Sequence, residues 1–232
     1  MKLAPLPSVQ KPHLRTETAQ RFLASAHEAA DEIWATLEIL RQRRKDAGQD
    51  IRGRLAMNEE DQLRAAIVFT GAGLDSTLKR LIEDALPDLL VFDDQAQRKF
   101  EEFAGARVSL AETVDPKAVA RYLTAADPRA RLINDYVYEL TGSSLQSEAQ
   151  VDKVASALGI DDTAVRKAIR TLKPLFVARN EISHELDLQR LEKRGDRTRR
   201  SRPMEGTKKI CDTGFRIGQQ IVNAVNLKLS NS

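Results

Sequence analysis

Between residues 179 and 187 the chain reads Arg179-Asn180-Glu181-Ile182-Ser183-His184-Glu185-Leu186-Asp187. This run gathers a guanidinium, an amide, a hydroxyl, an imidazole and carboxylates within about two and a half helical turns. An imidazole titrates near neutrality and can take or give a proton, whereas a guanidinium stays charged and can hold an anion. The residues just before it form an apolar helical stripe, Val165, Ile169, Leu172 and Phe176. At about 100° per residue that line continues through Asn180, Ser183 and Asp187, with Arg179 and His184 on its edges about 140° apart. Buried polar groups cost a few kcal/mol unless they are paired. Polar side chains on a core line therefore call for a cleft or a symmetric subunit contact.

A basic segment follows. From Gln189 to Lys209 there are nine Lys or Arg against three Asp or Glu, so this stretch is more cationic than the whole chain at +3. Arg194, Arg197, Arg199, Arg200 and Arg202 form its densest part and would attract a polyanion. A solvated connector with no partner would show the same charge.

The elements that must carry these residues read as helices. The positions Phe22, Ala26, Ala29, Ile33, Leu37 and Leu40 are spaced 4, 3, 4, 4, 3, a helical stripe within 15–50. Residues 1–14, with three prolines, read as an extended N-terminal arm. A helical bundle is expected over 58–189. Its first helix starts with Asn58 as cap and three acids, Glu59, Glu60 and Asp61, in the first turn. Its stripe runs Leu63, Ile67, Thr70, Leu74, Leu78, Leu81 and Ala85, and Pro87 is expected to end it. Gly71 and Gly73 interrupt the middle and predict a close backbone approach or a bend. Asp115-Pro116 and Asp127-Pro128 are start signals for shorter helices. A helix over 147–158 ends at Gly159, and a long element begins near Asp161 or Asp162. Residues 190–206 read as a basic flexible loop, and Thr207 as the cap of a last helix, 207–229, that packs on the bundle. No alternating β-branched run suggests a strand, so the expected class is all-α.

At Arg179, Asn180 and His184 the sequence resembles the HEPN superfamily, helical bundles whose active members carry R-N-x-x-x-H. The Leu158-Gly159-Ile160-Asp161 turn and the apolar helix over 65–82 resemble it too. The likeness spans roughly 58–226 and leaves an additional N-terminal helix outside it. It implies a metal-independent endoribonuclease, acting as a toxin or anti-phage defence effector. In that chemistry the RNA 2′-hydroxyl attacks its own phosphate, so no metal and no cofactor is expected. His184 would move the proton, Arg179 would hold the phosphate, and Asn180 would orient either partner. The resemblance further implies a homodimer that brings two motifs together, and a separately encoded antitoxin or sensor protein as restraint. Where many members place a glycine or a basic residue after the His, this chain has Glu185-Leu186-Asp187, acids that oppose a phosphate.

Other readings compete. Val151, Val154, Ala155, Leu158, Gly159, Ile160, Val165 and Ile169 fit a DNA-binding helix-turn-helix, with Arg166, Lys167 and Arg170 on its second helix. A HEPN-like bundle that binds RNA or protein without cutting is another. Ser183, His184 and Asp187 do not make a hydrolase triad, because neighbouring helical side chains diverge by about 100° and no G-x-S-x-G elbow exists. The Thr70-Gly71-Ala72-Gly73 stretch lacks the lysine spacing and the strand of a phosphate loop. A single cysteine, Cys211, excludes an intrachain disulfide and fits a cytoplasmic protein. With only three histidines besides, His13, His27 and His184, a Cys/His zinc site is nearly impossible. No apolar run approaches a membrane span, and the first residues have no signal-peptide core.

Overall fold

A computed structural model of the chain describes residues 2–7, 11–51, 53, 55–110, 113–189, 192 and 197–231. Among these it forms nine α-helices: α1 Leu14–Asp46, α2 Met57–Phe92, α3 Asp94–Val108, α4 Pro116–Leu123, α5 Pro128–Thr141, α6 Glu148–Ala157, α7 Thr163–Arg170, α8 Lys173–Glu185 and α9 Met204–Ser230. The all-α expectation holds, with one small addition. Ser109–Leu110 (β1) pairs antiparallel with Thr113–Val114 (β2) between α3 and α4. Two-residue strands show no alternation, so no periodicity announces them. No helix among the described residues is long and apolar enough to cross a membrane.

Helix α2 is the axis of the molecule and touches α1, α3, α5, α6, α8 and α9. Its core stripe, from Leu63 and Ile67 through Leu74, Leu78 and Leu81 to Ala85, is fully buried. Helix α1 belongs to the same core, burying Leu23, Trp34 and Leu37. The close approach expected at the α2 glycines is real. A Cβ on Gly73 would stand 2.2 Å from the Ala26 Cβ of α1. A Cβ on Gly214 of α9 would stand 2.7 Å from Thr70 Cγ2 and 2.9 Å from Leu175 Cδ2. Missing side chains thus let α1, α8 and α9 draw in around α2.

Several expected boundaries move. The first turn of α2 begins at Met57 with Ala56 as the flanking residue, not with Asn58 as cap; Glu59 reaches back to accept the Ala56 amide at 2.8 Å. Pro87 does not end α2. It removes one backbone donor, but Leu86, Leu89 and Leu90 are fully buried and carry the helix on to Phe92. The long element expected from 161 is two helices, broken at Thr171–Leu172, where Pro174 in the first turn of α8 cannot continue the hydrogen-bond ladder of α7. The last helix starts at Met204, and Thr207 is buried inside it rather than capping it.

The described start of the N-terminal arm, residues 2–7, is docked through Leu3 and Ala4. The Leu3 amide donates to Asp31 Oδ1 at 3.0 Å, the Ala4 amide to Asp212 Oδ1 at 2.8 Å, and His27 Nε2 to the Ala4 carbonyl at 2.8 Å. The start signals at Asp115, Asp127 and Asp162 behave as read, each capping the helix that follows, and Ser147, expected inside its helix, caps it instead.

Candidate functional site

Helix α8 carries Arg179, Asn180 and His184. Its buried side, Leu175, Phe176 and Ala178, seats it in the core beside α2 and α9. Half-buried Arg179 lies across α2 at Gly71, where a Cβ would come within 3.2 Å of its Cγ. Its Nη1 donates to Asn180 Oδ1 at 3.2 Å, and Asn180 Nδ2 donates to the Gln146 carbonyl at 3.3 Å. The amide therefore ties the guanidinium to the α5–α6 connection. His184, in the last turn, is solvent-exposed, and among the described residues no side-chain hydrogen bond reaches its imidazole. The expected polar line is only partly buried: Asn180 is half-buried and Ser183 exposed. Asp187 is fully buried but lies beyond the helix.

Around Asp187 the structure builds a charge cluster that sequence reading missed. Arg64 Nε donates to Asp187 Oδ2 at 2.8 Å, and Arg202 donates to both carboxylate oxygens, through Nε to Oδ2 at 3.1 Å and through Nη2 to Oδ1. Arg64 also holds Glu60 at 3.2 Å and Asp61 at 3.0 Å. Burial alone would lower the pKa of the Arg64 guanidinium; its hydrogen bonds to Asp187, Glu60 and Asp61 outweigh this and raise it. Arg202 behaves alike, burial being overcome by Asp187 and Glu181. The acids Glu59, Glu60 and Asp61 had a sufficient local explanation in the helix N-terminus, and partners well over a hundred positions away leave no periodic trace.

The basic segment meets this cluster. Residues 187–189 and 198–200 run antiparallel: Leu188 bridges Arg199, the Gln189 amide donates to the Thr198 carbonyl, and the Arg200 amide donates to the Asp187 carbonyl, both at 2.8 Å. Of the arginines expected to meet RNA, Arg194 lies outside the described residues, and Arg197 is exposed. Arg199 pairs with Asp61 at 2.7 Å, Arg200 with Glu185 at 3.0 Å and Glu181 at 3.4 Å, and Arg202 with Glu181 at 2.7 Å. Residues 199–202, expected as part of a flexible loop, are thus held by carboxylates of α2 and α8. The acids flanking His184 that would oppose a phosphate each have an arginine against them.

The α6–α7 pair has the expected glycine turn. Gly159 has φ +69°, and a Cβ there would fall 2.1 Å from Asp93 Oδ1. Arg166 is engaged internally by Asp152 at 2.5 Å and Ser156 at 2.6 Å, while Lys167 and Arg170 are exposed. The described residues contain no group of three or more His, Cys, Asp or Glu that could hold a metal ion. Comparison with protein-family models, curated proteins and solved structures gave no match.

Proposed function

We propose that the chain is a HEPN-like, metal-independent endoribonuclease, working as a toxin or anti-phage effector. The observation that carries this reading is the arrangement on α8: Arg179 seated on Gly71 and joined to Asn180, with an exposed imidazole at His184 one turn on. A phosphodiester placed against Arg179 would have its charge held while His184 takes the proton of the adjacent 2′-hydroxyl. The 2′-oxygen bonds to phosphorus, the bond to the 5′-oxygen breaks, and the leaving oxygen needs a proton in return. One chain supplies one such histidine. The second comes from a twin chain in a homodimer, which gives the pair a base and an acid. The products carry a 2′,3′-cyclic phosphate and a free 5′-hydroxyl, and DNA is inert because it lacks the nucleophile. Exposed Arg197 steers RNA, and an antitoxin or sensor protein restrains the enzyme.

The test is incubation of wild type and His184→Ala with labelled single-stranded RNA in EDTA, followed by analysis of the product ends. Cleavage by wild type alone, leaving cyclic phosphate ends, is expected. Metal-dependent cleavage, or full activity in His184→Ala, overturns the reading. RNA bound but left intact would favour the non-catalytic bundle.

The exposed cations Lys167 and Arg170 on α7 favour a second reading, a helix-turn-helix DNA regulator. It requires a shift of duplex DNA with a steep salt dependence and no effect on RNA.

A further inference from the structure

The chain leaves α8 along an unusual path. Leu186 and Asp187 both adopt the left-handed backbone, with φ of 51° and 58°. A glycine would take that conformation without the Cβ conflict; two consecutive side-chain-bearing residues persist there only when their surroundings over-determine them. The surroundings here converge on one carboxylate. Asp187 is fully buried and receives Arg64 from α2 and Arg202 from the lead-in to α9. Its amide donates to the Glu181 carbonyl at 2.9 Å, and its own carbonyl accepts the Arg200 amide at 2.8 Å. Stability alone does not ask for this, since apolar packing of similar volume serves a core at least as well as a buried ion cluster.

The placement suggests what the cluster does. Arg64 and Gly71 are seven residues apart, two turns along one face of α2. Gly71 seats Arg179, and Arg64 grips Asp187, three residues past His184. One face of α2 thus holds the first residue of the R-N-x-x-x-H stretch and the residue three past its last. The last turn of a helix, where His184 lies, is otherwise the part that frays.

We propose that Asp187, gripped by Arg64 and Arg202, is a positioning residue that holds His184 in register with Arg179. The catalytic meaning of this assignment rests on the ribonuclease reading; the ordering of the imidazole does not.

The test uses the full chain. Asp187→Asn keeps the shape and tolerates the left-handed backbone, but loses the charge. The measurements are kcat and KM on labelled RNA in EDTA, and the nuclear magnetic resonance signals of the His184 imidazole. In the folded variant the imidazole signals shift or broaden, and kcat falls about 10²-fold with KM nearly unchanged. Unchanged imidazole signals in a folded variant overturn the proposal. If Asp187→Asn does not fold, Arg202→Lys replaces it, keeping the cation but losing the two-pronged grip, with the same expected and overturning results. Should wild type cut no RNA, the ribonuclease reading falls, and the imidazole signals alone decide: perturbed, the positioning role stands; unperturbed, it is lost.

Discussion

Arg179 rests on Gly71. A Cβ at position 71 would stand 3.2 Å from the Cγ of Arg179, 3.8 Å from its Cβ and 3.9 Å from its Cδ. A glycine in mid-helix costs about 1 kcal/mol against alanine, and here the missing methyl gives a guanidinium stem its seat. Local helix strength is traded for the placement of one side chain.

Gly71→Ala separates the two quantities. The substitution recovers about 1 kcal/mol of helix propensity, and the Arg179 stem has to give only a few tenths of an ångström. The expected outcome is a melting temperature equal to or above that of wild type and, if the chain is the proposed ribonuclease, RNA cleavage lowered about tenfold as the Arg179 stem is displaced. Thermal melts and single-turnover cleavage check it. A variant that is less stable and fully active would contradict this account of the seat.

Gly73→Ala goes the other way. Its methyl would fall 2.2 Å from Ala26 Cβ, and both atoms sit on rigid helices. Overpacking of this kind costs about 1–3 kcal/mol, more than the helix propensity returns. The double variant Ala26→Gly/Gly73→Ala puts the methyl on the other helix and is expected to recover much of the loss. Urea denaturation of the single and double variants measures the coupling.

What the sequence disclosed and what it hid divide along range. Asp115-Pro116 and Asp127-Pro128 are local signals, and each opens the helix it announces. Gly71 and Gly73 announced a close approach, although not which helices would make it. Pro87, expected to end α2, does not, whereas Pro174 does mark an interruption between α7 and α8. Pro87 sits where buried leucines carry the helix through, whereas Pro174 sits where nothing prevents a break. That Arg179, Asn180 and His184 share one helix was legible, because they lie within five positions of one another. The pairing of Arg64 and Asp187, 123 residues apart, was not. A pair of that kind exists only after α2 and α8 have packed, and either residue alone resembles an ordinary solvated charge.

Among the described residues, the arginines that follow α8 include two kinds, and salt distinguishes them. Arg197 is exposed, so, if the chain binds RNA as proposed, Arg197→Gln weakens that binding and flattens the dependence of log affinity on log salt by about one phosphate contact, without loss of stability. Arg202 is nearly buried against fully buried Asp187. Arg202→Gln leaves that carboxylate with Arg64 alone, and a loss of about 3 kcal/mol is expected. Binding isotherms at several salt concentrations, alongside denaturation of both variants, check the assignment. Equal effects on stability would remove the distinction.

Cys211 gives the fold a signature in alkaline solution. The thiol is fully buried in α9, and burial pushes its pKa from 9.0 up to about 11; Thr70 pulls against this, Asp212 adds to it and Lys208 opposes it. The folded state therefore binds this proton more tightly than the unfolded state does. The resulting stabilisation is complete below about 9 and disappears as the pH rises through about 11. A shift of this size corresponds to at most about 3 kcal/mol. Cys211→Ala loses packing by an amount that does not depend on pH, so at neutral pH it is the less stable protein. Lysines and tyrosines titrate in both proteins and cancel in the difference. The stability gap between wild type and variant should thus narrow steadily between pH 9 and about 11. Urea denaturation of the pair across that range tests the point, and a gap that stays constant would mean that the thiol ionises as readily inside the bundle as outside it.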